Sequence, residues 1–189
     1  MRVLVMGSAG SGKSTFARRL AERVGMARIE QDALNWDPGW RNLSQVDPAE
    51  LRRRASLALA ADEWACEGNY TAIRDIVVGR ATHLVWLDYP RPVIMRRVIW
   101  RSFVRALENK ELWPGTGNRE EFHRWLDPEH PIRWAWDTYH RHRAEYEAVL
   151  ADPSTAHLAK YRLRHPREAA PMLAALAADA ASSRLAGAA

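Results

Sequence analysis

Residues 7–14 read Gly7-Ser8-Ala9-Gly10-Ser11-Gly12-Lys13-Ser14, with Thr15 next. The spacing fits G-x-x-x-x-G-K-[ST], the pattern of a phosphate-binding loop. The flanks suit it. Arg2-Val3-Leu4-Val5-Met6 is a short apolar run that predicts a buried strand, and Lys13 to Val24 places Phe16, Ala17, Leu20, Ala21 and Val24 at helical spacing. Strand, loop and helix start in that order gather backbone N–H groups and the positive helix end around one anion. The three glycines permit unusual dihedrals and close approach. In such a loop Lys13 reaches the β- and γ-phosphates of a nucleoside triphosphate, and the Ser14 hydroxyl ligates Mg²⁺. A glycine turn before an ordinary helix is the competing reading, and the correct flanks argue against it.

Outside this motif, 189 residues suit one α/β domain with a sizeable core and room for a small insertion. The first apolar run stops at the glycine loop, which is not the pattern of a secretory signal, and no apolar stretch reaches a membrane-spanning length. Cys66 is the only cysteine, so no internal disulfide can form and a reducing cytoplasm is the expected compartment. The net charge of +5 comes from arginine more than lysine, and it suits either nucleic acid or a phosphate-handling pocket. Nine tryptophans are read as core or pocket walls.

Along the chain, Met26 to Glu30 predicts a second strand ending at Gln31-Asp32, and Asn35 to Trp40 an ordered aromatic loop. Asp47-Pro48-Ala49-Glu50 signals a helix start, with a capping Asp, Pro at the first position and Glu at the third. Trp64 to Glu67 is a third strand halted by Gly68-Asn69-Tyr70. A weak helix over about 72–79 follows, then a strand at His83 to Asp88. A helix over Arg91 to Glu108 carries Arg97, Arg101 and Arg105 at i+4 spacing, with only Glu108 nearby to offset them. The stripe is either a solvated basic face or a surface that meets an anion. Pro131 opens a helix to about Leu150 with an apolar stripe of Ile132, Trp136, Tyr139, Tyr146 and Leu150. Arg143 falls inside it, and is the arginine expected to turn into a site. His157 to Leu163 is the last strand, and an alanine-rich helix follows. The domain is expected to span 1–178, with a lid segment at about 97–143 and a frayed tail over 179–189. Alternating strands and helices imply a parallel sheet with helices on both faces.

With these motifs placed, the chain resembles the adenylate-kinase-like P-loop kinases, and among them the bacterial topology modulation (FlaR-related) proteins. The resemblance runs over roughly residues 1–175 and is carried by several motifs in order. They are Asp32 with Trp36-Asp37-Pro38-Gly39-Trp40, Glu67-Gly68-Asn69-Tyr70, Leu87-Asp88-Tyr89-Pro90-Arg91, Arg97, Arg101 and the Trp134–Arg143 stretch. It implies a three-layer P-loop NTPase fold, a five-stranded parallel sheet in order 2-3-1-4-5 and a helical lid after the fourth strand. Such relatives usually carry Asp-Gly-Asn-Tyr where this chain has Glu67-Gly68-Asn69-Tyr70, so the carboxylate that would hold Mg²⁺ through water is longer by one methylene. Asp88 is the other strand-end carboxylate, expected to hold its own loop rather than a metal.

The combined reading is an ATP-dependent kinase that moves the γ-phosphoryl to a small-molecule acceptor, a nucleoside or nucleotide among the candidates. Residues 7–15 and Lys13 hold ATP; Ser14 and Glu67 hold Mg²⁺; Arg97, Arg101 and Arg143 close over the transferring group. Asp32, Trp36, Trp40, Asn69 and Tyr70 surround the acceptor at the carboxyl edge of the sheet. Asp32 binds or deprotonates the acceptor hydroxyl, or serves only as a loop or helix cap. Adenine is expected near Arg101 and the Arg164-His165-Pro166 turn. The alternatives are an ATP-hydrolysing regulatory protein associated with nucleic acid or a protein partner, and a nucleotide binder without catalysis. No helix is patterned for a nucleic-acid groove, and no zinc spacing is present.

Overall fold

Arg2–Gly7 forms β1, whose residues from Val3 onward are all buried. A strand buried on both faces belongs inside a parallel sheet covered by helices, and that is its place. The computed structural model describes residues 1–125 and 127–187. Its sheet is completed by β2 (Ala27–Glu30), β3 (Trp64–Glu67), β4 (His83–Leu87) and β5 (Ala159–Leu163). The order is β2-β3-β1-β4-β5, all parallel. The longer helices are α1 (Lys13–Val24), α2 (Pro48–Ala58), α3 (Arg74–Arg80), α4 (Arg91–Glu108), α5 (Pro131–Ala151) and α6 (Ala169–Gly187). The chain is thus an α/β protein of three layers.

Successive side chains of β1 point to opposite faces and so seed two cores. Val3 and Val5 pack with Phe16 and Leu20 of α1, Ile94 and Val98 of α4, and Leu173 and Leu176 of α6. Leu4 and Met6 pack on the other side with Leu51 of α2, Val77 of α3 and Trp86 of β4. The start of α5 (Ala135, Tyr139) joins the first core and its end (Tyr146, Val149) the second, so this helix passes from one layer to the other. Because the strands are parallel, their carboxyl ends share one edge. There β1 runs into the glycine loop, β2 into Gln31-Asp32, and β3 into Gly68-Asn69-Tyr70. The register pairs Glu67 with both Val5 and Glu30.

The capping reading of α2 is realised: Asp47 accepts from the Glu50 N–H at 3.1 Å, with Pro48 at the first position. The stripe on α5 differs from expectation. Its buried residues are Ala135, Thr138, Tyr139, Tyr146 and Val149, whereas Trp136 is 54% exposed. Trp136 lies about 100° around the helix from Ala135, off the packed face, and the Arg91 guanidinium covers its ring at 3.4 Å from the centroid. The weak helix near 72–79 is a 3-10 turn (Thr71–Ile73) leading into α3. Past residue 178 the chain stays helical to Gly187, where fraying was expected. Arg184 ties this end down by donating to the Val24 carbonyl at 2.8 Å and pairing with Glu63. Residues 188–189 of the expected tail lie outside the described residues. Among the described residues no helix is long and apolar enough to cross a membrane.

Candidate active site

The glycine loop closes on itself through Ser11 N–H to the Ser8 carbonyl at 3.0 Å, and both serines are buried. Gly10 has φ +85°, and a Cβ there would stand 2.7 Å from the Ile94 carbonyl oxygen, so the loop lies directly on α4. Arg97 reaches it from the same helix, donating to the Ser11 carbonyl at 3.2 Å. Gly12 caps α1 without a side-chain hydrogen bond, leaving the first-turn N–H groups without a capping side chain. Lys13 and Ser14, with Gly7 and Ala9, line a cavity of about 460 Å³. Thr15 points outward and is exposed.

Glu67, at the end of β3, is 1% exposed and accepts from Arg28 at 3.2 Å. Burial pushes its carboxyl up; Lys13 and Ser14 pull the other way, while Asp32 and Glu30 add to the rise. A buried carboxylate beside the Ser14 hydroxyl and the Lys13 ammonium is a donor set that fits a hard divalent cation bound to phosphates, with water completing its shell. The positive-φ glycines of the loop likewise fit a phosphate chain.

Across the cavity, Asp32 sits in a helical turn (Gln31–Asn35) directly after β2 and accepts from the Tyr70 hydroxyl at 2.9 Å through Oδ1. Burial, followed by the Asp32 charge, holds the Tyr70 phenol far above its ordinary range, so it acts as a donor. Gln31 braces the pair by accepting from the Tyr70 N–H at 3.0 Å. Gly68 has φ +138°, and a Cβ there would meet the Gln31 side chain at 2.6 Å. Asn69 lines the same cavity and accepts from Arg74 at 3.1 Å.

Trp36 and Trp40 stand edge to face at 5.6 Å, and both line the cavity. A third ring, Trp113, stacks on Trp36 at 6.3 Å and meets Trp40 edge-on at 6.0 Å. This ring, in the loop after α4, is one that the sequence reading does not single out. The loop is held by Asn118, which is 2% exposed, accepts from the Trp40 N–H at 3.0 Å and donates to the Asp37 carbonyl at 3.0 Å. Trp40 has φ +60°, a strained setting for a bulky residue. Strain of this kind collects at functional sites, at a cost of about 1–3 kcal/mol.

The arginines divide. Arg101 and Arg105 line the cavity. Burial, with Arg105 alongside, pushes the Arg101 guanidinium down to about 10, still charged near neutrality, and Glu120, Asp32 and Glu67 hold it up. The offset for Arg105 is Glu120, at 3.7 Å, rather than Glu108, which pairs with Lys110. Glu120 is 3% exposed and lies 3.3 Å from His130 Nε2. Against the cost of burial, His130, Ser102, Arg101 and Arg105 together keep its carboxyl below the ordinary range. Sequence reading missed Glu120 and His130. Arg143 does not line the cavity: its Nε is 3.2 Å from Asp88, which also takes both Nε and Nη2 of Arg162 at 2.9 and 2.7 Å. Asp88 therefore clamps β5 and α5 onto the loop after β4. Arg164, expected beside adenine, is exposed and does not line the cavity, and its backbone N–H goes to Glu168 at 3.2 Å.

Residues 3–66, from β1 to the end of β3, match a family model described as an AAA domain. Over 59 residues the chain is 39% identical to the bifunctional pantoate ligase/cytidylate kinase of Gloeobacter violaceus. That stretch is 31% of this chain and 12% of that protein, so the chain matches only a small part of its curated relative. Among solved structures, a shikimate kinase from Acinetobacter baumannii in complex with shikimate is 18% identical at a TM-score of 0.49, covering 98% of this chain and 93% of that one. A gluconokinase from Sinorhizobium meliloti is 22% identical at the same TM-score of 0.49, with 94% of each chain covered.

Proposed function

We propose that this protein is an ATP-dependent phosphotransferase acting on a hydroxyl of a small molecule. One observation carries the reading: the phosphate-loop residues Lys13 and Ser14 and the Asp32–Tyr70 pair open into the same cavity, with Arg101 coupled to both sides. The loop amides and Lys13 hold the phosphates, while Arg101 faces the charge that grows on the transferring group. Bound at Ser14 and, through water, at Glu67, Mg²⁺ would neutralise phosphate oxygens. Tyr70 occupies Asp32 Oδ1 and so fixes the carboxylate, leaving Oδ2 for the acceptor. The acceptor oxygen bonds to the γ-phosphorus, the bond to the ADP oxygen breaks, and the acceptor proton passes to Asp32. Arg97 serves from outside the cavity, by holding the loop at Ser11. We infer further a kinship with the bacterial topology modulation proteins, supported by the motif set that runs from Asp32 to Arg143.

The test is ADP release from ATP and Mg²⁺, measured with and without each member of a panel of hydroxyl compounds. A large stimulation by one compound supports the reading. ATP hydrolysis that responds to DNA or a protein, and to no small molecule, would mark a regulatory NTPase instead.

A further inference from the structure

We propose that the acceptor is an uncharged hydroxyl compound with an apolar ring face, of nucleoside or sugar type, and carries no phosphate of its own; this rests on the phosphotransferase reading above. A phosphate monoester needs a cation free to meet it, best of all an arginine fork. On the loop side of the cavity, Lys13 and Arg101 have no ion-pair partner among the described residues, and the phosphates of ATP employ both. On the acceptor side most of the arginines already have carboxylate partners. Arg105 lies 3.7 Å from Glu120, Arg124 lies 3.1 Å from Asp127, and Arg141 lies 3.7 Å from Glu145. Arg119 has no carboxylate partner among the described residues, but it stands exposed at the rim, where water screens it, and donates to the Asn109 carbonyl. Arg74, just behind the wall, is shared between Asn69 at 3.1 Å and Glu145 at 3.6 Å.

Carboxylates without such partners meanwhile line the same cavity. Asp32 and Glu129 have no ion-pair partner among the described residues, and an anionic acceptor would meet their repulsion. What the wall offers besides hydrogen-bond acceptors is aromatic surface. Trp36 and Trp113 are already stacked on one another at 6.3 Å, and Arg124 covers Trp40 at 4.5 Å. A ring therefore lies against this wall and does not enter between the tryptophans. Trp113 is further fixed by donating from Nε1 to Glu30 at 3.3 Å. Such a surface suits the apolar face of a sugar or base, with hydroxyls turned toward the carboxylates.

The test uses the full chain, saturated with a non-hydrolysable ATP analogue and Mg²⁺. The common ribonucleosides and neutral hexoses, and then their 5′- and 6-monophosphates, are titrated while tryptophan fluorescence is read. The expected result is saturable binding of at least one neutral compound, with its monophosphate weaker by at least about tenfold. Glu145→Gln, which releases Arg74 and Arg141, should narrow that gap. A monophosphate that binds as well as its parent, or a panel in which no neutral compound binds, overturns the proposal. A parallel assay of ADP release separates the two claims: a neutral compound that binds and does not stimulate release keeps the ligand class of this wall but removes the phosphotransferase reading, and with it the compound's role as acceptor. The nucleoside and hexose arms distinguish the two sources of the ring.

Discussion

Asp32→Asn removes a proton acceptor while leaving the site's shape nearly intact. The amide oxygen can still accept from Tyr70, whose hydroxyl lies 2.9 Å from Oδ1, and Gln31 still holds the Tyr70 N–H. The fold should therefore tolerate the change, with a stability loss below about 1 kcal/mol, the scale of an ordinary retained hydrogen bond. Transfer should not tolerate it. Positioned general bases contribute about 10²–10⁴-fold, equivalent to about 3–5 kcal/mol of activation free energy. Tyr70→Phe provides the second leg. It removes a hydrogen bond to a charged group worth about 1.5–3 kcal/mol, so kcat should fall by about 10–100-fold. Because Tyr70 acts only through Asp32, the two substitutions combined should cost little more than Asp32→Asn alone. The assay is steady-state ADP release with the acceptor, alongside calorimetric titration of ATP into each variant. Equal losses of transfer and of ATP affinity in Asp32→Asn would refute this assignment and move Asp32 to the nucleotide side.

Other outcomes follow from single contacts. Glu67→Gln should raise the Tm of the nucleotide-free protein at neutral pH, because a carboxyl held above its ordinary pKa supports folding while protonated and loses that support as pH rises through the folded value. The same substitution should weaken Mg²⁺-dependent stabilisation by ATP, and a variant that melts earlier without ligand would contradict the sign. Asp88→Asn strips Arg162 and Arg143 of a shared carboxylate that is 7% exposed. Unfolding in urea should show a loss of about 1–3 kcal/mol, at the lower end of buried ion-pair losses because both arginines are partly solvated; intact ATP affinity would set it apart from the site residues. Asn118→Ala leaves the Trp40 N–H and the Asp37 carbonyl without partners. A rise in acceptor KM with unchanged ATP affinity is expected, plus a loss of about 1–3 kcal/mol in stability.

Sequence was most informative where function and local structure coincide. Residues 2–24 yielded strand, loop and helix because glycine conformation, helix dipole and apolar spacing all point the same way there. The bounds of β3 and α4 and the cap at Asp47 were legible for the same local reasons. Failures came where a side chain's partner lies far along the chain. Arg143 looked costly on an apolar face, and its partner Asp88 is 55 positions away, so no helical period could name it. Glu120 is invisible beside Arg101 and Arg105 until the chain after α4 folds back over that helix. Trp113 gained meaning only through Trp36 and Trp40, more than 70 residues upstream. Trp136 shows the limit of periodicity: one position around α5 separates the packed face from solvent.

The claim that a triphosphate held on the loop at Gly7–Ser14 donates to an acceptor beside Asp32 is tested most directly by one measurement. ADP release is followed in the wild-type chain and in Lys13→Ala, each with and without the neutral acceptor identified by fluorescence titration. The account predicts release that rises at least about tenfold on adding acceptor in the wild type and is lost in Lys13→Ala together with ATP-dependent thermal stabilisation. Release that ignores the acceptor, or that survives the loss of Lys13, would contradict it.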